Sequence, residues 1–160
     1  MPWPGGHSAR RFRGASAFEA LATDLLAAGH ARHERLLLVA DEPNEAQWPE
    51  GLRSSGDLQV SSVAEVYGPQ RLADPPALLA GFRERLADAL RDGYTGLRVV
   101  ADNSAMLDGP ERAEAWRRWE SVADMFMAAY PVTGVCAFDD ERVDPETLSA
   151  VLALHHPTDS

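Results

Sequence analysis

Residues 36–40 read Leu-Leu-Leu-Val-Ala, an uninterrupted apolar run that lies between Arg35 and Asp41. A short run that is apolar at every position is typical of a strand buried on both faces, as in a parallel sheet. Two further strand patterns occur at residues 97–101 and 132–138, and each is also followed by an aspartate. These three segments predict the centre of an α/β fold.

Amphipathic helical patterns separate the strands. Ser16 is expected to cap the first helix and Gly29 to end it. A second helix is expected to open at Asp41 and to include Trp48, whereas residues 63–73 are typical of a connection. The strong helices are predicted at about residues 75–91, 110–129 and 145–154. With weaker strands at 7–13 and 58–60, strand and helix alternate about five times. This order predicts a doubly wound, mostly parallel sheet of about five strands with helices on both faces.

Composition narrows the class of protein. The chain has 160 residues and a formal net charge of −10, which favours one domain and disfavours direct contact with nucleic acid or an anionic membrane. No apolar run approaches the ~18 residues of a membrane span, and no signal-peptide pattern is visible, so a cytoplasmic location is expected. We predict a lead-in at residues 1–6, a single domain at 7–156 and a tail at 157–160.

The sequence lacks the residues that several catalytic mechanisms require. All 15 basic residues are arginine, which excludes a Schiff-base lysine and the lysine of a phosphate-binding P-loop. No Gly-x-Ser-x-Gly motif is present. The single cysteine, Cys136, excludes an internal disulfide and a cysteine-based zinc site, and its place within a strand favours a core role. No pair of histidines has a metal-binding spacing in the sequence. We therefore expect no enzyme activity, no cofactor and no metal.

Polar residues follow three of the predicted strands. Asp41, Asp102 and Asp139 come directly after them, and Asn103 and Ser104 follow Asp102. In open α/β sheets ligands bind outside the carboxyl ends of the strands, so these side chains are candidates for a site that binds a polar ligand group or a metal. The alternative is that each aspartate only caps the following turn.

The same order of segments resembles the MEDS domain, a sensory domain named after methanogens, methylotrophs and the regulator of dichloromethane metabolism. The strongest match is Asp92-Gly93-Tyr94-Thr95-Gly96-Leu97-Arg98-Val99. Further matching segments follow the family pattern along nearly the whole chain: Gly5-Gly6-His7, Arg35 to Pro43, Ala64 to Tyr67, Trp119-Glu120, Tyr130 to Thr133, Cys136 and Phe138-Asp139.

The resemblance implies a degenerate version of the RecA-like fold of circadian-clock ATPases, used for sensing and without a functional P-loop. Members of the family recognise small molecules that are often hydrocarbon-like. In actinobacteria they are associated with anti-sigma and phosphorelay systems, and some are joined to regulatory or DNA-binding domains.

Taken together, these observations predict a sensory domain that binds a small apolar or hydrocarbon-like molecule. It would signal through a protein partner of an anti-sigma, kinase or transcriptional regulator pathway. The expected pocket is formed by Asp41, Tyr67, Asp102, Asn103, Ser104, Glu120 and Asp139, with Trp116 and Phe138 as its apolar wall. Two alternatives stay open: a ligand-free interaction module, and a nucleotide-binding protein with a degenerate phosphate loop. A homodimer is also left open.

Overall fold

A computed structural model describes residues 6–155 of the chain. Residues 1–5 and 156–160, which include most of the predicted lead-in, His156 and the predicted tail, lie outside the described residues. The elements are β1 (Gly6–Phe12), α1 (Ala15–Ala31), β2 (Arg35–Ala40), a 3₁₀ turn (Glu45–Gln47), α2 (Glu50–Ser54), β3 (Leu58–Ser62), α3 (Val63–Tyr67), α4 (Pro75–Arg91), β4 (Leu97–Asp102), a second 3₁₀ turn (Ser104–Leu107), α5 (Pro110–Ala129), β5 (Val132–Asp139) and α6 (Pro145–Leu152).

The five strands form one sheet in the order β1-β5-β4-β2-β3, and every neighbouring pair is parallel. In the register of the three central strands, Leu37 lies beside Val99 and Val99 beside Gly134. Parallel neighbours need a crossover between them, and the helices supply it. The prediction of a doubly wound, mostly parallel α/β sheet of about five strands is confirmed.

Each face of the sheet is covered by its own hydrophobic core. Leu36 and Leu38 point into a core that also contains residues of α1 and α2. Leu37 and Val39 point into the larger core beneath α3, α4, α5 and α6. Because side chains alternate between the faces of a strand, the uninterrupted apolar run of β2 supplies both cores at once.

The limits of α1 differ from the prediction. The helix begins after Gly14, whose φ of 84° favours glycine, and Ser16 lies inside the first turn without acting as the cap. It continues past Gly29 to Ala31. Gly29 stays within the helix because it touches the sheet, where an added Cβ would lie 2.6 Å from Leu36 Cδ2. A glycine is therefore needed at position 29 because α1 approaches the sheet closely there, and not because the helix ends.

Two connecting segments also differ from the prediction. The helix expected after Asp41 is divided into a 3₁₀ turn and α2, because Pro49 has an extended backbone and cannot donate to a continuing helix. The connection expected at residues 63–73 begins with α3. Ser62 and Glu65 cap α3 reciprocally, each side chain accepting from the other's backbone N–H.

The starts of the last three long helices follow their sequence signals. Pro75, Pro110 and Pro145 each occupy the first turn, where the missing N–H costs nothing. Asp144 accepts from the backbone N–H of Thr147 and caps α6. Within residues 6–155, no helix combines the length and the apolar character needed to cross a membrane.

Candidate functional site

A crevice opens at the carboxyl ends of β1, β2, β4 and β5, and we call it the strand-end crevice. Its volume is about 210 Å³. Its apolar wall is made by Phe12, Phe18 and Trp48, which are packed against one another. Its polar lining includes the three predicted carboxylates Asp41, Asp102 and Asp139, together with Glu42 and Gln47. The topology thus brings together the aspartates that follow three separate strands.

Ser104 links two of these carboxylates. Its hydroxyl donates to Asp102 Oδ1 at 2.7 Å and accepts from the backbone N–H of Asp139 at 2.8 Å. The backbone N–H of Ser104 also donates to Asp102 Oδ1. Burial raises the pKa of Asp102, and the hydrogen bonds from Ser104 only partly offset that rise. Ser104 therefore orients the ends of β4 and β5, while the acid group of Asp102 has a weakened tendency to ionise.

Asp41 is held by arginines from outside the sheet. Arg71 Nη2 lies 2.7 Å from Asp41 Oδ1, and Arg142 Nη1 lies 3.6 Å from Asp41 Oδ2. Arg71 has a positive φ of 54°, an uncommon conformation for a residue other than glycine. Arg142 also binds Asp108. The charge of Asp41 is thus largely compensated within the protein.

Carboxylates also occupy the start of α1, the connection between the first strand and the first helix where the nucleotide-binding alternative would need its phosphate loop. The backbone N–H of Gly14 points to Asp139 Oδ1 at 3.4 Å, and Arg13 donates to Asp140 at 2.9 Å. A helix N-terminus attracts anions, but here side chains of the protein already supply negative charge.

The other predicted residues lie in two places away from the crevice. Trp116 and Phe138 are fully buried in the larger core, where Tyr67 packs edge-on against Trp116 at a ring distance of 5.3 Å. Asn103, which directly follows β4, and Glu120 of α5 are buried polar residues. The nine predicted site residues are therefore separated: three carboxylates line the crevice, Ser104 supports them, and the other five are buried on the face of the sheet that α3, α4, α5 and α6 cover.

A polar cluster lies where α5 packs against β1, β5 and the segment after α6, and we call it the buried polar cluster. Its members have no common spacing in the sequence: His7, Glu120, Asp124, Cys136 and His155. His7 of β1 lies with its Nδ1 3.3 Å from Glu120 Oε2 and 2.7 Å from Asp124 Oδ1. His155, just after α6, has its Nε2 2.6 Å from Glu120 Oε2. Cys136 of β5 has its sulfur 3.1 Å from His7 Nε2. The Gly-Gly-His segment and the Trp-Glu segment of the family pattern were the available signals for this cluster.

The environment of this polar cluster changes the acidity of its members. Burial lowers the pKa of His155, but the close contact with the Glu120 carboxylate outweighs it, so the net shift is upward. Burial raises the pKa of the Cys136 thiol well above its ordinary value, and the charge of Glu120 adds to the rise. Burial likewise raises the pKa of the Tyr67 hydroxyl. Cys136 and Tyr67 are thus held neutral.

An apolar groove lies on the outer surface, between α4 and α5, and we call it the α4–α5 groove. It has a volume of about 350 Å³ and is lined by Leu79, Arg83, Val122, Met125, Phe126 and Tyr130. Met125 is 76% exposed and Tyr130 is 43% exposed. The Arg83 guanidinium lies over the Tyr130 ring at 5.9 Å.

The family of this chain follows from comparison with known protein families. No curated protein matches this chain. A family model described as the methanogen/methylotroph, DcmR sensory domain, abbreviated MEDS, matches residues 6–156. The match covers the whole sheet, the strand-end crevice and the buried polar cluster. The chain belongs to the MEDS family of sensory domains.

Proposed function

We propose that this sensory domain binds a small, mostly apolar molecule in the strand-end crevice and signals through a protein partner, without catalysing a reaction. The observation that carries the proposal is the combination of an aromatic wall with convergent carboxylates in one cavity, which is the usual composition of a ligand pocket. The volume of about 210 Å³ lies below the ~300–1,000 Å³ that is usual for drug-sized ligands, so the ligand is small.

The chemistry of the lining defines the ligand further. An apolar body would pack against Phe12, Phe18 and Trp48. Asp102 would meet a hydroxyl or amine group, since a carboxylate accepts hydrogen bonds and a protonated carboxyl can also donate one. The compensated charge of Asp41 and the raised pKa of Asp102 both favour a neutral ligand group over a metal cation.

Signalling would follow from unequal affinity for two arrangements of the crevice walls. The walls come from separate segments, α1 and the loop that carries Trp48, packed on the ends of β2, β4 and β5. A ligand that binds one arrangement more tightly shifts the population toward it. The output would pass to a partner of the anti-sigma, kinase or transcriptional regulator type that the family resemblance implies.

One observation favours the alternative of a ligand-free interaction module. The α4–α5 groove exposes apolar surface on the side of the sheet opposite α1, with Met125 at its rim. The nucleotide-binding alternative is weakened by the negative charge of Asp139 and Asp140 at the start of α1. These three readings make different predictions for a single ligand panel.

The test is a thermal-shift panel that compares ATP and GTP, each with Mg²⁺, with small hydrocarbons, alcohols, amines and acids. Saturation at about 100 times the dissociation constant stabilises by ~2.7 kcal/mol, which corresponds to roughly 5–10 °C for a domain of this size. A shift with small neutral compounds supports the proposal. A shift with nucleotides alone, or with nothing in the panel, contradicts it.

A matched pair of variants locates the site. Ala15 lines the mouth of the crevice and is exposed, so Ala15→Leu fills the opening without disturbing a core. We expect it to abolish the shift caused by an active compound. Ala28→Leu makes the same change at an exposed position near the other end of α1 and should leave the shift unchanged. Equal shifts in both variants would place the ligand elsewhere.

A further inference from the structure

We propose that His7, Glu120 and His155 form a binding site for a divalent first-row transition metal ion, with Zn²⁺ as the reference ion. Three donor atoms, one from each residue, lie within 4.8 Å of one another. The side chains of these residues are only 1–2% exposed. Two imidazoles with one carboxylate are a donor set typical of zinc and of non-haem iron. The proposal is independent of the strand-end crevice.

The hydrogen bond of His155 determines which of its nitrogens is available. His155 Nδ1 lies 2.9 Å from the carbonyl oxygen of Val151. A carbonyl only accepts, so Nδ1 carries the hydrogen and Nε2 of the neutral ring presents a lone pair. Glu120 Oε2, which also carries lone pairs, lies 2.6 Å from this nitrogen but to the side of its lone pair. A cation shared by the two atoms, either a proton or a metal ion, would relieve the repulsion between them.

The directions of the two groups favour a metal ion over a shared proton. Neither His155 Nε2 nor Glu120 Oε2 has a hydrogen-bond partner of acceptable geometry, even though the two atoms are close. The oxygen therefore lies away from the line along which Nε2 would donate a proton. Two ligands of one metal ion are likewise directed at the ion and not at each other, and binding in a tetrahedral zinc site would move these two atoms apart from 2.6 Å to ~3.3 Å.

His7 completes the donor set. Its Nδ1 lies 3.3 Å from Glu120 Oε2, close to the ~3.3 Å that separates two ligand atoms in a tetrahedral zinc site with bonds of ~2.0–2.1 Å. Without metal, Nδ1 donates to Asp124 Oδ1, so metal binding requires the other tautomer, in which the hydrogen lies on Nε2 beside the Cys136 sulfur. Ligating histidines usually donate their second N–H to an acceptor, which fixes the orientation of the ring.

Asp124 gives the site a route to solvent and a fourth donor. Its Oδ1 lies 2.7 Å from His7 Nδ1, and its side chain is 45% exposed. An ion can therefore reach the buried donors from the surface of α5. Once bound, it would join β1, α5 and the segment after α6, three parts of the chain that are far apart in sequence. The ion would hold the end of the described chain against the sheet.

The experiment begins with the wild-type protein after removal of metal by a chelator. Titration with Co²⁺ should produce the visible absorption of a site with nitrogen and oxygen ligands, and dialysis against Zn²⁺ should leave one equivalent bound. Zn²⁺ should also raise the melting temperature. In ¹⁵N spectra of the histidines, Zn²⁺ should shift Nδ1 of His7 and Nε2 of His155. The absence of bound metal, or shifts only at other histidines, would overturn the proposal.

Variants add a second criterion. His155→Gln and Glu120→Gln should each weaken metal binding by more than the ~10–100-fold that loss of an outer hydrogen-bond partner of a ligand costs. His30 provides the matched control, because its Nδ1 makes an equally short contact of 2.6 Å, with Asp57, but its side chain is 46% exposed. His30→Gln should retain full binding. Metal binding that persists in folded His155→Gln would refute the assignment, and the wild-type nitrogen shifts decide the case if that variant does not fold.

Discussion

Arg98 of β4 donates through Nε to Glu34 Oε1 at 2.8 Å, and the Glu34 side chain is completely buried. The pair joins the centre of the sheet to the turn between α1 and β2. Glu34 Oε2 has no hydrogen-bond partner, so this carboxylate depends on Arg98 for most of its compensation. Arg98 can therefore lie within the apolar run of β4 because its charge is paired with Glu34, which directly precedes the neighbouring strand β2.

Breaking this pair on one side should be strongly destabilising. We expect Arg98→Met to lower the free energy of unfolding by about 3–5 kcal/mol, because the buried charge of Glu34 would keep only the distant, partly exposed Arg32, whose Nε lies 4.0 Å from Glu34 Oε1. The double variant Arg98→Met/Glu34→Leu should recover most of the loss, because neither charge remains. Urea denaturation of both variants measures the difference. Equal losses in the single and double variants would contradict the explanation.

Gly29 and Gly81 predict opposite effects of the same substitution. Gly29→Ala places a Cβ 2.6 Å from Leu36 Cδ2 and 2.7 Å from Arg98 Cδ, atoms that are held in the core, so we expect a loss of about 1–3 kcal/mol. Gly81 lies within α4 with no atom within 4 Å of an added Cβ. Gly81→Ala should stabilise by about 0.5–1 kcal/mol through helix propensity. Thermal unfolding tests both, and destabilisation by Gly81→Ala would be unexpected.

Ser104→Ala should show whether this predicted site residue is needed for the structure. Ser104 itself is buried, and its removal leaves the partly buried N–H of Asp139 without its acceptor, at a cost of about 1–3 kcal/mol. Ser55 has the same pattern, donating to Leu52 O and accepting from the backbone of Asp57, but it is exposed. Ser55→Ala should change stability by no more than about 0.5 kcal/mol. A neutral effect of Ser104→Ala on stability would contradict a structural role.

The raised pKa of Asp102 predicts a particular dependence of stability on pH. The native state binds a proton at higher pH than the unfolded state does. The contribution of Asp102 to stability is therefore complete below the unfolded pKa of about 3.9 and is lost as the pH rises through the folded pKa. The stability of wild type minus that of Asp102→Asn should fall as the pH rises above about 3.9. Urea denaturation across this range measures it.

Glu65 is the control of opposite sign. Hydrogen bonds from Ser62 lower its pKa, so its contribution is present above the unfolded pKa and is lost as the pH falls through the folded value. The difference between wild type and Glu65→Gln should therefore grow as the pH rises. A common direction for Asp102 and Glu65 would show that general charge effects, and not these local environments, determine the result.

The fold was predictable because local and global signals agree. The apolar run of β2 can be recognised from the local sequence alone. The same is true of the prolines and aspartates at the starts of the helices. Gly29 was predicted to end α1, but a glycine is needed there because a larger side chain would collide with Leu36 and Arg98. Only the tertiary structure brings these two residues near. A glycine at a helix stop and a glycine at a close approach look identical in sequence.

The candidate site was predictable only in part. Asp41, Asp102 and Asp139 could be placed together because parallel strands end at the same edge of a sheet. Glu120 could not be placed, because its partners His7 and His155 come from opposite ends of the domain and have no common spacing. Trp116 and Phe138 were predicted to line the pocket, and the structure places both in the larger core. The sequence alone could not distinguish these positions, because an aromatic side chain fits a core as well as it fits a pocket.

The pairing of β1 with β5 has a consequence for how the chain folds during synthesis. Each pair in this register joins residues 127 positions apart, as with Gly6 and Thr133. At ~5–20 residues per second the ribosome needs roughly 6–25 s to make that stretch. Throughout this time β1 has no partner, and the nascent sheet can grow only from β2, β3 and β4. The first strand of this domain to be synthesised is thus among the last to be incorporated in the sheet, which leaves this segment exposed to chaperones and to mispairing with other chains during that time.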